Sequence, residues 1–199
     1  MNPLPSEPGA LTFHPLTPDR WCDLEALFGL HGAQGGCWCM WWRQTAKEFA
    51  AGRGEPNRAA LREIVERGEE PGILAYDRNQ AVGWVAVAPR SSYARLARSR
   101  TLRPIDDQPV WSISCFFVAK THRRRGVMRA LIDAACDAAK ARGAEVVEAY
   151  PVVPGDDHYP DAFAFTGTLD AFLDAGFTIA SRPSERRAVV RRRVAARAV

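Results

Sequence analysis

The stretch Trp111–Leu131, WSISCFFVAKTHRRRGVMRAL, decides the fold of this 199-residue chain. Its first part is almost continuously apolar up to Val118, which predicts a strand buried at the centre of a sheet. Three arginines and Gly126 then form a basic turn, and a helical pattern follows. The first N–H groups of a helix lack partners within it, and the helix dipole adds positive potential there. A strand that enters a helix through such a turn indicates a phosphate site.

The helix after this turn predicts how the chain continues. Its pattern starts at Val127 and ends before Gly143, a residue typical of helix C-termini. The residues predicted to face the core are Val127, Ala130, Leu131, Ala134, Ala135 and Ala138. A strand over residues 145–153 follows. A strand–helix–strand unit of this kind favours parallel pairing through a right-handed crossover.

The remaining segments predict antiparallel strands and further helices. Residues 72–89 have the pattern of a hairpin, and residues 177–180 and 188–194 that of a final strand pair. Upstream, Trp21–Phe28 has helical spacing, and Asn57 is predicted to cap a second helix. Together the patterns predict an α/β fold, an α+β mixed sheet of about six or seven strands flanked by helices on both faces.

Length and composition indicate one domain over residues 11–199, preceded by a flexible arm rich in Pro and Gly over residues 1–10. The net charge of +4 suits an anionic ligand without demanding nucleic acid. No run is apolar enough to span a membrane, and the N-terminus lacks the features of a signal peptide. The five cysteines are an odd number, which without an export signal favours reduced thiols and a cytoplasmic location.

The order of these elements resembles that of the GNAT superfamily of acyl-coenzyme A-dependent N-acyltransferases. The resemblance spans roughly residues 11–194, and its sharpest part is the signature Arg/Gln-x-x-Gly-x-Gly/Ala. Here residues 123–128 read RRRGVM, so the first and fourth positions match while Met128 replaces a small residue. The pair Gly176-Phe177 resembles the Gly-Phe that follows the family's fourth helix.

The resemblance implies acetyl-CoA as co-substrate. Its pantetheine arm would run beside the central strand, near Phe116, Phe117 and Val118, as extended ligands do at strand edges. The amide of Phe117 or Val118 would meet the thioester oxygen. Backbone amides and arginines at the helix start would hold the pyrophosphate. The residues implied there are Arg123, Arg124, Arg125, Gly126, Val127, Met128 and Arg129.

The implied activity is transfer of an acetyl group to a primary amine of a small molecule or protein, by direct attack on the thioester. Glu148 is the first candidate for the base, with an arginine ion pair as the equal alternative. Many members protonate the leaving thiolate with a tyrosine four residues before the Gly-Phe glycine. Phe172 stands there and cannot donate, so Tyr159 and Tyr150 are the nearest alternatives, or else phenols packed at a rim.

The segment 37–43, CWCMWWR, is dense in aromatic residues and cysteines. Its tryptophans either stack on the acceptor or plug the core between the first helices. These tryptophans are Trp38, Trp41 and Trp42. Cys37 and Cys39 supply only half of a structural zinc site, and no second cysteine pair follows at the usual distance. We therefore predict no metal.

Other functions stay open at this point. A non-catalytic acyl-CoA-binding or regulatory module on the same fold is the main alternative, because Met128 and Phe172 depart from the family pattern. A nucleic-acid-binding protein is a weaker one, since the arginines at 191–193 are typical of a solvated sheet edge. Acidic residues over 156–161 hint at a cationic acceptor amine. Family members are often dimers, so the final strand pair allows a homodimer.

Overall fold

The structure is a computed structural model that describes residues 10–153 and 165–195. Its strands are β1 Thr12–Pro15, β2 Gly72–Asp77, β3 Gln80–Pro89, β4 Trp111–Val118, β5 Val146–Ala149, β6 Thr178–Ser184 and β7 Arg187–Arg193. They form one seven-stranded sheet in the order β1-β2-β3-β4-β5-β7-β6. Among the pairings of these seven described strands, only that of β4 with β5 is parallel. The predicted mixed sheet is therefore confirmed, with β4 at its centre.

Helices cover both faces of this sheet, as predicted. The α-helices in the described part are α1 Trp21–Phe28, α2 Ala46–Ala51, α3 Glu55–Glu66, α4 Ala94–Ala97, α5 Val127–Ala141 and α6 Leu169–Asp174. Helices α5 and α6 pack on one face around a core that includes Ile113 and Val147. Helices α1 and α3 pack on the other, around Leu74 and Trp84. Along β2, for example, Ile73 and Ala75 belong to the first core and Leu74 and Tyr76 to the second.

The sheet opens where β4 and β5 diverge. The two strands pair only over residues 111–113 and 147–149, although β4 continues to Val118. Within β4, the register with β3 shifts so that Ser114 is an extra residue opposite no partner. Such a β-bulge bends a strand and re-aims its side chains, and bulges are common beside functional sites. The bulge and the gap lie at the same level of the sheet.

The buried face of α5 differs from the predicted one. The residues buried in the core are Val127, Leu131, Ile132, Ala135, Cys136 and Ala139. Ala130, Ala134 and Ala138 instead line a groove beside β1 and are half-buried. Ala134 and Ala138 pack only at the margin of the core. The prediction missed Ile132 and Cys136, whose larger side chains bury more apolar surface.

Two further predictions are corrected by the fold. Asn57 does not cap a helix, because α3 begins earlier with Gly54 as its N-cap. The fully buried Asn57 side chain donates to the Gly36 carbonyl at 3.1 Å. The last strand, β7, is no solvated edge, since it lies between β5 and β6. Its Arg192 pairs with Asp133 of α5 at 2.7 Å.

Candidate functional site

A cavity of about 550 Å³ lies where β4 leads into α5. Most residues predicted to hold the cofactor line it, namely Phe116, Phe117, Val118, Arg123, Arg124, Gly126, Val127 and Met128. Arg125 and Arg129 are not among the lining residues, and Arg129 pairs with Asp133 at 3.3 Å. A larger opening of about 1060 Å³ lies at the other end of β4, around Val110 and Gly143, away from the α5 N-terminus.

The lining includes residues that the sequence did not single out: Ala33, Gln34, Lys120, His122 and Phe165. Lys120 and His122 belong to the same basic turn, so their proximity in sequence was a usable signal. Ala33 and Gln34 reach the cavity from the loop after α1. Phe165 comes from beyond β5. Contacts at such long range leave no local signature.

The first amides of α5 lie beside this cavity, which Gly126, Val127 and Met128 line. Helical hydrogen bonding begins with the Ala130 amide, which donates to the Gly126 carbonyl at 3.1 Å. The amides before Ala130 therefore have no partner within the helix. Gly126 adopts a left-handed conformation with φ of 76°. Arg123 ties the turn to the strand, since its Nε donates to the Val118 carbonyl at 3.2 Å. Donors and positive charge together fit a diphosphate.

The open side of β4 has one amide already in use. The Phe116 amide donates to the Phe165 carbonyl at 2.6 Å. The Ala119 amide donates to β3, and amides alternate along a strand. The amide of Phe117 therefore faces β3, which corrects its predicted role as a donor to the thioester oxygen. The amide of Val118 faces the open side.

Glu148, the predicted base, lies in a buried network at the parallel end of the sheet. Its carboxylate is 1% exposed and pairs with both Arg90 and Arg191 at 2.7 Å. The Tyr150 hydroxyl also donates to it, at 2.7 Å. Ser112, opposite Glu148 in the β4 register, contacts the same hydroxyl at 2.8 Å. Glu148 is thus ion-paired with arginine, which was the alternative to its role as a base. Both of its carboxylate oxygens accept hydrogen bonds.

Tyr150 is equally enclosed. It is fully buried, and burial, followed by the charge of Glu148, raises the pKa of its phenol far above the usual range. Arg90 also donates to its hydroxyl. Tyr159, the other candidate proton donor, lies outside the residues that the structure describes.

Residues 38–158 match the profile of the acetyltransferase (GNAT) family, which covers more than half of the chain. The chain belongs to this family. The match contains the basic turn, the α5 N-terminus and both strands that border the gap in the sheet, so the predicted resemblance is confirmed.

Solved GNAT structures share this fold. The N-acetyltransferase from Staphylococcus aureus Mu50 is 12% identical with a TM-score of 0.54, covering 94% of this chain and 100% of its own. PaiA N-acetyltransferase from Thermoplasma acidophilum, in complex with coenzyme A, is 9% identical with a TM-score of 0.53, covering 92% and 99%. Ard1 from Thermoplasma volcanium is 17% identical with a TM-score of 0.50, covering 94% and 99%. A search of curated proteins found no match.

Helix packing in this GNAT chain gives Phe172 a core position. Its side chain is fully buried, with ring centroids 6.0 Å from Phe116 and 5.0 Å from Phe177. Gly167 approaches the ring so closely that an added Cβ would lie 2.8 Å from it. The residue at the family's tyrosine position therefore serves packing.

We expect Phe172→Tyr to lower the free energy of unfolding by about 1–3 kcal/mol, because its hydroxyl would be buried among aromatic rings without a partner. Chemical denaturation followed by tryptophan fluorescence measures this loss. Leu173→Ala, at a more exposed position on the same helix, is the matched control. Unchanged stability together with faster acetyl transfer would contradict the core assignment.

The tryptophans of the 37–43 segment occupy different environments. Trp38 is 5% exposed and stacks on Trp21 with centroids 6.1 Å apart, so the core interpretation applies to it and the predicted acceptor contact does not. Trp41 is half-buried under the guanidinium of Arg95, 3.9 Å from its ring centroid. Trp42 is 9% exposed in a third apolar cluster. The Trp42 ring lies 6.5 Å, between centroids, from that of Tyr150, the residue after β5.

The cysteines of this segment form no metal site in the described residues. Cys39 Sγ lies 3.5 Å from Cys115 Sγ in the core and accepts from Trp84 Nε1 at 3.1 Å. Burial raises the pKa of Cys37 to about 11.

None of the helices in the described residues has the length and apolar character needed to span a membrane.

We expect a thiol reagent such as DTNB at pH 8 to label the exposed Cys22 rapidly and the other cysteines slowly. Burial raises the pKa of Cys136 to about 12, and only the thiolate reacts, so a thiol with a raised pKa reacts slowly below that value. Absorbance at 412 nm gives the rates. Cys22→Ser should remove the fast phase. A fast phase that survives this substitution would contradict the buried environments.

Proposed function

We propose that the protein transfers an acetyl group from acetyl-CoA to a primary amine. One observation carries the proposal: a basic turn and the first amides of α5, which have no partner within the helix, border a cavity that continues along the open side of β4. Donors for a diphosphate and an edge for an extended arm thus meet in one place. The coenzyme A complex of PaiA, which has the same fold, supports this choice of co-substrate.

Different residues bind the different parts of acetyl-CoA. The amides of residues 124–128 hold the diphosphate, and Arg123 and Arg124 supply charge from the cavity wall. The Val118 amide meets the pantetheine arm. Arg125 and Arg129 contribute only long-range potential, because they do not line the cavity. Once bound, acetyl-CoA supplies an activated acyl group.

Phe165 must release the Phe116 amide when the arm occupies the full length of the open edge. Its carbonyl now accepts that amide at 2.6 Å, and its side chain lines the same cavity. A freed Phe116 amide is then available to an oxygen that gains negative charge. Phe165 therefore controls the inner end of the cavity.

The buried position of Glu148 argues against its role as the base. We propose that Glu148 holds Arg90 and Arg191 in place, because both of its oxygens already accept from these groups. Tyr159 remains the proposed proton donor. A thiol has a pKa of about 8.5, so a thiolate can also leave without a donor near neutral pH.

Turnover with acetyl-CoA and a broad panel of primary amines tests the proposal. Release of free coenzyme A, followed by a thiol reagent, and mass spectrometry of the acetylated amine are the readouts. We expect multiple turnovers with at least one amine. Tight binding of acetyl-CoA without turnover on any amine would favour the non-catalytic module.

A further inference from the structure

Five polar atoms beside the gap between β4 and β5 lie buried without a hydrogen-bond partner in the part of the chain that the structure describes. They are Trp42 Nε1, Arg43 Nη2, Tyr93 Oη, Arg95 Nη2 and Ser114 Oγ. All five can donate a hydrogen bond. Buried polar groups are nearly always paired, so a cluster of unpaired donors calls for an explanation. We name these residues the donor cluster.

Contacts connect the residues of the donor cluster to one another. The Arg95 amide donates to the Trp42 carbonyl at 3.0 Å, which joins the aromatic segment to the start of α4. The Arg43 guanidinium lies 5.0 Å from the Tyr93 ring centroid. Burial raises the pKa of the Tyr93 phenol, whereas the charge of Arg43 and the neighbouring Ser114 hydroxyl lower it, so these three residues lie together.

Phe165 separates the donor cluster from the cavity assigned to acetyl-CoA, which none of the five cluster residues lines. Ser114 is the bulged residue of β4, at the level where β4 leaves β5. Phe165 lines the cavity on one side and packs on the other against the apolar cluster that contains Trp42 and Tyr93. A group bound among these donors would therefore lie next to the inner end of the cavity. Movement of Phe165 would connect the two.

The guanidinium groups of the cluster lie against aromatic rings rather than carboxylates, Arg95 at 3.9 Å from the Trp41 ring centroid and Arg43 at 5.0 Å from that of Tyr93. Neither Arg43 nor Arg95 forms an ion pair with a carboxylate of the described residues. Desolvation lowers the pKa of Arg95. The nearby carboxylate of Glu148 is taken by two other arginines. One acceptor atom, Gln44 Oε1, is unpartnered in the same segment.

We infer that the acceptor amine carries a carboxylate, which binds in the donor cluster. A carboxylate offers lone pairs to several donors at once, and guanidinium groups pair with it closely. The inference rests on the proposed acetyl transfer and narrows its substrate to molecules such as amino acids. It replaces the cationic acceptor that residues 156–161 suggested, because the described wall beside the gap is rich in arginine.

Matched acceptor pairs test this. Each L-amino acid is compared with its primary amide and with the amine obtained by removing the carboxylate, at constant acetyl-CoA. We expect kcat/KM to be about 10- to 100-fold higher for the carboxylate form. Equal rates for all three forms, or a preference for phosphoethanolamine, would overturn the carboxylate site while acetyl transfer stands. Absence of both turnover and acetyl-CoA binding would overturn the proposed function itself.

Arg43→Met should remove this preference by raising KM for the carboxylate acceptor about 10- to 100-fold, with little change for its amide. Arg98→Met, an exposed arginine at the end of α4, is the control and should leave both unchanged. Circular dichroism verifies that each variant is folded. Equal changes of KM for the acid and the amide would contradict a carboxylate contact at Arg43.

Tyr93→Phe gives a second, independent readout. If the buried hydroxyl has a partner only when the acceptor is bound, its removal should raise the Tm of the free protein, because an unpaired polar group is costly when buried. The same substitution should raise KM for the carboxylate acceptor. Ser114→Ala should act in the same direction. A fall in Tm with unchanged KM would mean that an internal partner such as water already satisfies the hydroxyl, and it would overturn the inference.

Discussion

Replacing Gly126 by Asp is expected to abolish the binding of acetyl-CoA, whereas replacing it by Asn should weaken binding only slightly. Gly126 is left-handed, with φ of 76°, and an added Cβ would meet no atom within 4 Å. Asp and Asn tolerate this conformation better than other side chains. They are nearly equal in size, so the pair isolates the effect of one negative charge beside the proposed diphosphate.

Titration calorimetry measures the difference directly. At short range an extra negative charge costs enough to raise the Kd of the Asp variant about 100-fold or more over that of the Asn variant. High salt should reduce the difference, because exposed charges are screened. Equal affinities for the two variants would mean that the diphosphate does not lie at the start of α5.

Replacing Glu148 by Gln is expected to lower the free energy of unfolding by about 3–5 kcal/mol, because the enclosed Arg90 guanidinium loses its carboxylate partner. Arg191 keeps a second carboxylate, Asp106, at 2.7 Å. Glu148 is 1% exposed, and Arg90 and Arg191 are 13% and 14% exposed. Little solvent is available to compensate for the lost carboxylate. Denaturant titration of the parent and the variant gives the difference.

Glu145→Gln is the matched control. Glu145 lies just before β5, is 45% exposed, and lies 3.7 Å from Arg193. Its replacement should therefore lower the free energy of unfolding by about 0–1 kcal/mol. If Glu148→Gln kept the stability of the parent but lost activity with a shifted pH profile, Glu148 would act as the base, and the positioning role would be wrong.

The start of α5 could be predicted because its signals are local. An apolar strand, a turn with Gly126 and a helix ending at Gly143 follow one another within a short stretch. Each step is determined by backbone conformation and burial within a few residues. The strand pairing around this unit then follows from the rules of crossover connections.

The inner part of the site could not be predicted, because its contacts join distant segments. Arg90 is 58 residues from Glu148, so the sequence left base and ion pair as equal alternatives. The bond between Phe116 and Phe165 crosses the gap in the sheet and changes which amide is free. The donor cluster likewise combines the 37–43 segment with residues after β3, and no spacing rule connects them.

A crystal structure with acetyl-CoA bound is the most direct test of the central claim. The account predicts the diphosphate on the amides of residues 124–128 and the pantetheine arm along the open side of β4, with the Phe165 carbonyl displaced from the Phe116 amide. The account would be contradicted if the nucleotide bound elsewhere and protein side chains filled the cavity between β4 and α5.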